Sequence, residues 1–261
     1  MKKNFIVTYY DDSFSEIRDI VLDRFQAYAH KCKADLLVIE NWNEDKTKHF
    51  LLNRLMSMNN IAKNGRYLFI DMDTLVRKDT PDLFKLVPKN HLGMLNEGGN
   101  WFRSTMTSIN DYQVKDEVLF NNCAKIALNE YISCNVQLNL DAPISYEIQV
   151  GFNLPFNHYN MGVMLCDDKL MKTLNLDSIL IDKNQEVLKK FWVIDQLLVN
   201  LLIRKLKIPV YELPCCFNCF FGYRTSDYLK RNFINHYCGL ENNLRFDFMK
   251  KDDQLLKNFG F

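Results

Sequence analysis

None of the nine glycines in this 261-residue chain falls in a G-x-G-x-x-G or G-x-x-x-x-G-K-[ST] pattern. The usual glycine cradle for a pyrophosphate is therefore missing, and a bound nucleotide would need its phosphates neutralised by something else. An excess of one charge is also missing. With 33 basic and 32 acidic residues, net charge +1, mixed along the sequence, there is no broad basic field for nucleic acid or an anionic membrane surface. No hydrophobic run approaches the roughly 20 residues of a transmembrane helix. The apolar stretch after Met1-Lys2-Lys3-Asn4 is broken by Asp11 and Asp12, too early for a signal peptide. The expectation is a soluble, cytoplasmic protein with no nucleic-acid partner and no transmembrane anchor. No internal repeat, low-complexity tract or Pro/Gly/Ser linker divides the chain. At 48% hydrophobic, residues 1–261 read as a single domain with a substantial core.

Paired cysteine knuckles are absent as well. Eight cysteines are scattered, several in apolar stretches such as Cys123, Cys134 and Cys166, and reduced core thiols account for them. Cys215, Cys216 and Cys219, followed by His236 and Cys238, can be drawn as a zinc site. One C-x-x-C with an irregular second half is a weak signal beside the paired knuckles of zinc modules.

What is present is an alternation of strand and helix. Asn4 to Tyr10 reads as a strand. Ser13-x-x-Glu16 reads as a capping box, opening a helix with Ile17, Val21, Phe25 and Tyr28 on one face. Ala34 to Glu40 is the next strand. Leu51, Leu55, Met58 and Ala62 recur at helical spacing, Asn64-Gly65 closes that helix, and Tyr67 to Ile70 is a third strand. This β-α-β-α-β order predicts an α/β fold with a mostly parallel, doubly wound sheet. Thr80-Pro81 is expected to open a short helix with proline at its first position. Further strands are expected at His91–Leu95, Met161–Cys166, Ile208–Leu213 and Phe233–Tyr237, with a helix from about Glu186 to Lys205. The long stretches Asn96–Tyr112 and Ile132–His158 read as substrate-binding loops.

The third strand carries the chemistry. Tyr67-Leu68-Phe69-Ile70 runs into Asp71-Met72-Asp73, a buried strand stopping at two carboxylates. In open α/β sheets ligands collect beyond the carboxyl ends of the strands. Side chains alternate along a strand, so Asp71 and Asp73 share a side and could hold one hard cation, Mg²⁺ or Mn²⁺. Such an ion could take over the task that the missing glycine cradle leaves open.

Ile6-Val7-Thr8-Tyr9-Tyr10-Asp11-Asp12, Arg54, Ile70-Asp71-Met72-Asp73, Tyr159-Asn160-Met161-Gly162-Val163, Asp195-Gln196 and His236-Tyr237-Cys238-Gly239 follow one another along the chain. In these motifs and their order the chain resembles a GT-A-fold (Rossmann-like) glycosyltransferase of the retaining glycogenin and lipooligosaccharide galactosyltransferase group, family 8-like. The resemblance implies that Asp71, Asp73 and His236 hold Mn²⁺ or Mg²⁺. It places Thr8, Tyr9, Tyr10, Asp11, Arg54, Asp71, Met72 and Gly239 around a nucleotide-sugar donor, a UDP-hexose, with Asp11 on the base. Asn160, Asp195 and Gln196 would line the sugar pocket as candidate catalytic residues. Residues 1–73 would form the nucleotide-binding half and 74–261 the half that binds sugar and acceptor. The acceptor would be a glycan, lipid or protein hydroxyl, and transfer would proceed with retention.

Two positions depart from the family pattern. Asn242 stands where the motif's diphosphate-contacting lysine belongs, with Arg245, Lys250 and Lys251 as candidate replacements, and Met161 replaces a small residue. Two other functions suit parts of the pattern. A catalytically idle nucleotide-sugar or glycan-binding domain would suit the missing lysine. A haloacid-dehalogenase-type phosphatase would suit D-x-D with the later pair Asp167-Asp168, but Leu75 occupies the position that family fills with Thr or Val, and the motif here ends the third strand rather than the first.

Overall fold

A computed structural model of the chain describes residues 3–40, 42, 50–61, 64–96, 133, 137–138, 158–174, 194–220 and 227–261. The first half follows the expected alternation: β1 (Lys3–Tyr9), α1 (Arg18–Cys32), β2 (Asp35–Ile39), α2 (Phe50–Ile61) and β3 (Gly65–Ile70). After these come β4 (Thr74–Val76), α3 (Leu83–Leu86), β5 (Leu92–Asn96), β6 (Tyr159–Asp167), α4 (Asp168–Thr173) and α5 (Ile194–Lys205). The described chain ends with β7 (Val210–Glu212), β8 (Cys219–Phe220), α6 (Tyr228–Arg231), β9 (Ile234–His236) and α7 (Asn242–Asn258).

Six strands form the main sheet in the order β2-β1-β3-β6-β5-β7. The β1–β2, β1–β3 and β5–β7 pairings are parallel, and β6 runs antiparallel to both its neighbours. The mostly parallel sheet expected from the sequence is thus present, with one reversed strand near its middle. Reversal matters for the site, because it brings the first residues of β6 beside the last residues of β3. A second sheet, β4-β9-β8, sits just past β3.

All six residues of β3 are buried, because helices cover both faces. On one face Val7, Tyr67, Phe69 and Met164 pack with Leu55 and Met58 of α2 and Leu197, Leu198 and Leu201 of α5. On the other, Ile6, Leu68, Ile70 and Leu165 pack with Val21, Phe25 and Tyr28 of α1 and Phe246, Met249 and Leu256 of α7. Each such side chain taken from water stabilises the fold by roughly 1.5–3 kcal/mol.

Several expected boundaries move for local reasons. The Ser13–Glu16 capping box is not formed: Asp11 caps a 3-10 turn over Asp12–Ile17 by accepting from the Ser13 N–H at 2.9 Å, and Glu16 pairs with Lys250 instead. Pro81 lies outside α3, whose N-cap is Asp82, accepting from the Phe84 N–H at 3.0 Å. Gly65 begins β3 rather than ending α2; a Cβ there would stand 2.6 Å from the Lys3 carbonyl. The two long loops and the first part of the helix expected from Glu186 fall almost wholly outside the described residues, as do Cys123 and Cys134.

Candidate active site

Asp71 and Asp73 leave β3 in a tight turn whose main-chain groups are held by three hydrogen bonds. The Thr74 hydroxyl donates to the Asp71 carbonyl at 2.8 Å, the Asp71 N–H donates to the Gly162 carbonyl at 3.0 Å, and the Tyr237 N–H donates to the Asp73 carbonyl at 2.8 Å. The last two bonds tie the turn to β6 on one side and to the end of β9 on the other. Antiparallel pairing of Thr74 with His236 then delivers the imidazole to the carboxylates. His236 Nε2 stands 3.2 Å from Asp73 Oδ1 and 3.9 Å from Asp71 Oδ2.

One atom from each of these three residues lies within 4.8 Å of the others, and no other such group of three is found among the described residues. Two carboxylate oxygens and one imidazole nitrogen make a hard-to-borderline donor set, which suits Mn²⁺ or Mg²⁺ better than a soft metal. The zinc alternative is not supported. The Cys238 sulfur neighbours His236, but among the described residues no metal-sized group of three includes a cysteine, Nδ1 and Nε2 of the ring face Asn218 Oδ1 at 2.9 Å and the acids, and Cys215, Cys216, Cys219 and Cys238 are free thiols.

Arg54 of α2 bridges Asp71 to Asp195 of α5. One nitrogen donates to Asp71 Oδ1 at 2.7 Å and another to Asp195 Oδ2 at 2.5 Å. Asp195 opens α5, is buried, and accepts from the Gln196 N–H at 2.8 Å. Gln196 Oε1 accepts from the Met161 N–H at 3.3 Å and from Asn160 Nδ2 at 3.2 Å, so Asn160, Asp195 and Gln196 meet beside Arg54. His158, which the sequence did not single out, touches Gln196 through its Nε2 at 2.6 Å from the amide nitrogen.

The electrostatics divide the two acids. Burial pushes the Asp71 carboxyl up despite Arg54 beside it. For Asp73, burial is outweighed by His236 and Arg245, and the carboxyl is held below its usual range. Burial disfavours a charged His236, yet the neighbouring Cys238 sulfur and Asp73 carboxylate raise its pKa well above the ordinary imidazole value. Arg245, near the start of α7, places Nη1 3.4 Å from Asp73 Oδ2. Of the candidate replacements for the missing lysine it is the one that reaches the acids; Lys250 is held by Glu16, and Lys251 is exposed.

The family model described as Glycosyl transferase family 8 matches residues 23–241. The chain belongs to glycosyl transferase family 8. It is a glycosyltransferase, and similar solved structures show the same GT-A fold. The galactosyltransferase LgtC, solved in complex with donor and acceptor sugar analogs, is 14% identical with a TM-score of 0.56, over 97% of this chain and 95% of that one. A glycosyltransferase involved in glycosylation of the major capsid of PBCV-1 is 10% identical with a TM-score of 0.52, over 95% and 99%. The bifunctional WbbM is 13% identical with a TM-score of 0.52, over 97% of this chain and 50% of that one. No curated protein matches the chain at a significant level.

The remaining residues that the resemblance assigns to the donor are placed as follows. Thr8 is fully buried in β1, and its hydroxyl has no hydrogen-bond partner among the described residues. Tyr9 packs against Phe69 and Trp42, and Tyr10 lies under the Arg18 guanidinium. Asp11 lies just past the end of β1, with one carboxylate oxygen engaged by Ser13. Met72 is buried in the core between the two acids, and Gly239 takes φ +75° in the turn before α7, a conformation that favours glycine. The dehalogenase alternative fails on topology. Asp167 pairs opposite Arg66, at the far end of β3 from Asp71, where it caps α4 and accepts from the Asn90 N–H. No helix among the described residues is long and apolar enough to cross a membrane.

Sequence reasoning missed Asn218. It sits in an irregular turn after a 3-10 helix, Cys215–Phe217, 58 residues from the Asn160 that it contacts. An isolated loop asparagine gives no periodic or motif signal that could have found it.

Proposed function

We propose that this glycosyltransferase moves a hexose from a nucleoside diphosphate, a UDP-hexose, to a hydroxyl of a glycan, lipid or protein acceptor, with retention at the anomeric carbon. The observation that carries this reading is the convergence of Asp71, Asp73 and His236 within 4.8 Å, next to the Arg54–Asp195 pair. Those three side chains would hold Mn²⁺ or Mg²⁺, which when bound supplies positive charge to the departing diphosphate.

The protein's own groups account for the rest. Arg54, already gripped by two carboxylates, is pre-oriented and offers its remaining N–H donors to donor phosphate or sugar hydroxyls without further ordering. Asp195 holds Arg54 in place, while Asn160 and Gln196 present amides whose partners are fixed by main-chain N–H groups. A buried polar wall of this kind discriminates sugars by their hydroxyls, because a missing hydroxyl leaves its partner unpaired. Arg245 is placed to meet a diphosphate beside Asp73, in the role left open at Asn242. Asp11, Tyr9 and Tyr10 mark the side of the base, where a carboxylate can accept the imide N–H of uracil.

A screen of UDP-, GDP- and dTDP-sugars with Mn²⁺, read as nucleotide release, tests the reading without knowledge of the acceptor. Release from a UDP-hexose, lost with EDTA and in Asp73→Asn, is the expected result. Nucleotide binding with no turnover of any donor would favour the idle binding domain, and full release in EDTA would reject the metal role.

A further inference from the structure

A chain of side-chain amides joins the two histidines of the site. His236 Nδ1 lies 2.9 Å from Asn218 Oδ1, Asn218 Nδ2 donates to Asn160 Oδ1 at 2.8 Å, Asn160 Nδ2 donates to Gln196 Oε1 at 3.2 Å, and Gln196 Nε2 lies 2.6 Å from His158 Nε2. Amide oxygens and nitrogens are assigned by their partners, so the direction of such a chain needs an independent anchor. Here there are two. The Gly162 N–H, which can only donate, points at Asn160 Oδ1 at 2.7 Å, and the Met161 N–H points at Gln196 Oε1 at 3.3 Å.

With Asn160 Oδ1 fixed as an acceptor, Asn218 must turn its NH₂ toward it. Its carbonyl oxygen is then left facing His236 Nδ1. An acceptor at that position calls for a proton on Nδ1, and a neutral ring with its proton on Nδ1 carries its lone pair on Nε2. Nε2 is the nitrogen that faces Asp73 and Asp71. Asn218 and His236 are both buried, at 0% and 3% exposure, so bulk water does not replace these partners readily.

We propose that Asn218 is the positioning residue that commits His236 to bind a cation through Nε2, by a directed amide relay anchored on the main-chain N–H groups of Gly162 and Met161. The proposal rests on the metal-site reading above and adds to it a residue that touches neither metal nor substrate. The relay also ties the cation's ligand to Asn160 and Gln196, so the two halves of the site hold one another's orientation.

The test compares Asn218→Leu with Asn218→Asp by counting free Mn²⁺ with electron paramagnetic resonance, in the absence of any nucleotide. Leucine removes the acceptor for Nδ1–H, and Mn²⁺ affinity should fall about 10–100-fold, the usual effect of losing the group that orients a metal-bound histidine. Aspartate keeps an acceptor for Nδ1–H and should stay closer to wild type, although it breaks the contact with Asn160. A mere packing role predicts the reverse order, since leucine is the gentler change for a buried site and aspartate brings in a charge. Wild-type affinity in Asn218→Leu, or weaker binding in Asn218→Asp than in Asn218→Leu, overturns the relay.

Should the leucine variant not fold, the wild-type protein still answers. Histidine-selective ¹⁵N spectra with saturating Mg²⁺ should show a pyrrole-type Nδ1 and a pyridine-type Nε2 for His236, and the opposite tautomer overturns the proposal. Absence of Mn²⁺ binding by the wild type would instead reject the metal site itself, and the relay with it.

Discussion

The imidazole of His236 lies directly over the Cα of Gly162. A methyl group at that glycine would stand 2.2 Å from Cε1 and 2.6 Å from Nδ1 of the ring, and 3.0 Å from Asn160 Oδ1. Real carbon contacts do not approach so closely, and the ring is buried on its other sides, so it must move. Gly162→Ala is therefore expected to push His236 out of reach of Asp71 and Asp73. Overpacking of this size costs about 1–3 kcal/mol, which leaves the protein folded but should weaken Mn²⁺ binding at least about tenfold, the lower end for disturbing a metal site's support. Calorimetric titration of Mn²⁺ alongside a thermal melt checks both; unchanged Mn²⁺ affinity in a folded variant would show that the ring has room to adapt.

Arg54 is shared between Asp71 at 2.7 Å and Asp195 at 2.5 Å. Burial opposes its charge, but the two carboxylates more than compensate and raise its pKa further above the ordinary value. Removing the guanidinium in Arg54→Ala leaves two poorly solvated acids without the cation they share, at a cost of about 3 kcal/mol or more. Arg54→Lys keeps a charge but cannot span both carboxylates with a planar fork. Chemical denaturation should rank wild type above lysine above alanine, and nucleotide release should be lost in both variants. The alanine variant should regain stability when Asp195→Asn is added, because one of the stranded charges is then gone; failure of the double variant to recover any stability would argue against a shared ion pair.

The parts of this site that were legible in the sequence are those where one segment carries two signals at once. The four apolar residues of β3 demand burial, and the acids that follow demand a ligand or a turn, so strand and candidate metal site were read together. Asp195 lies in the sequence between Phe191-Trp192-Val193-Ile194 and Leu197-Leu198, where an unpartnered acid is costly, and Arg54 is the partner. Of the second sheet only β9 was legible, and α7 was not. Helix α7 turns Asp252 and Asp253 inward among Phe246, Met249 and Leu256, which breaks the apolar period. Those acids are buried because Asp252 accepts from the Tyr228 and Tyr237 hydroxyls and Asp253 pairs with Arg24 at 2.7 Å. These partners lie on distant segments, and only the fold brings them together. The capping box at Ser13 failed for a related reason: Asp11, two residues earlier, offers the stronger acceptor.

Arg245 occupies a position where a metal ion and a diphosphate would pull it in opposite senses. Without either, its guanidinium and the His236 ring share Asp73, at 3.4 Å and 3.2 Å. A cation held by Asp73 competes with Arg245, whereas a diphosphate beside the site would attract it. Arg245→Met should therefore tighten Mn²⁺ binding in the absence of nucleotide, by up to roughly fivefold for the loss of one screened charge pair of up to about 1 kcal/mol. It should weaken UDP binding in the presence of Mn²⁺. A variant that weakens both would point to a structural arginine; one that leaves UDP affinity unchanged would move the phosphate contact elsewhere.

The raised pKa of His236 makes protons and metal rivals for the same nitrogen. In the metal-free protein burial opposes the charged ring, and the Cys238 sulfur and the Asp73 carboxylate together more than offset it. Because the folded-state pKa lies above the unfolded value of about 6.5, this contribution is fully present below that pH. It is lost as pH rises through the folded-state value. Ligation needs the deprotonated ring, so Mn²⁺ affinity moves the other way and strengthens over the same interval, with release of up to about one proton per ion bound. Melting curves with and without saturating Mn²⁺ should therefore separate further from about pH 6 to about pH 8.5, the metal-free curve losing stability while the loaded one holds. His236→Gln, which can still offer an oxygen ligand but has no proton to lose, should flatten that dependence. A gap between the curves that is the same at both ends of the range, or that narrows as pH rises, would remove His236 from the ligand set.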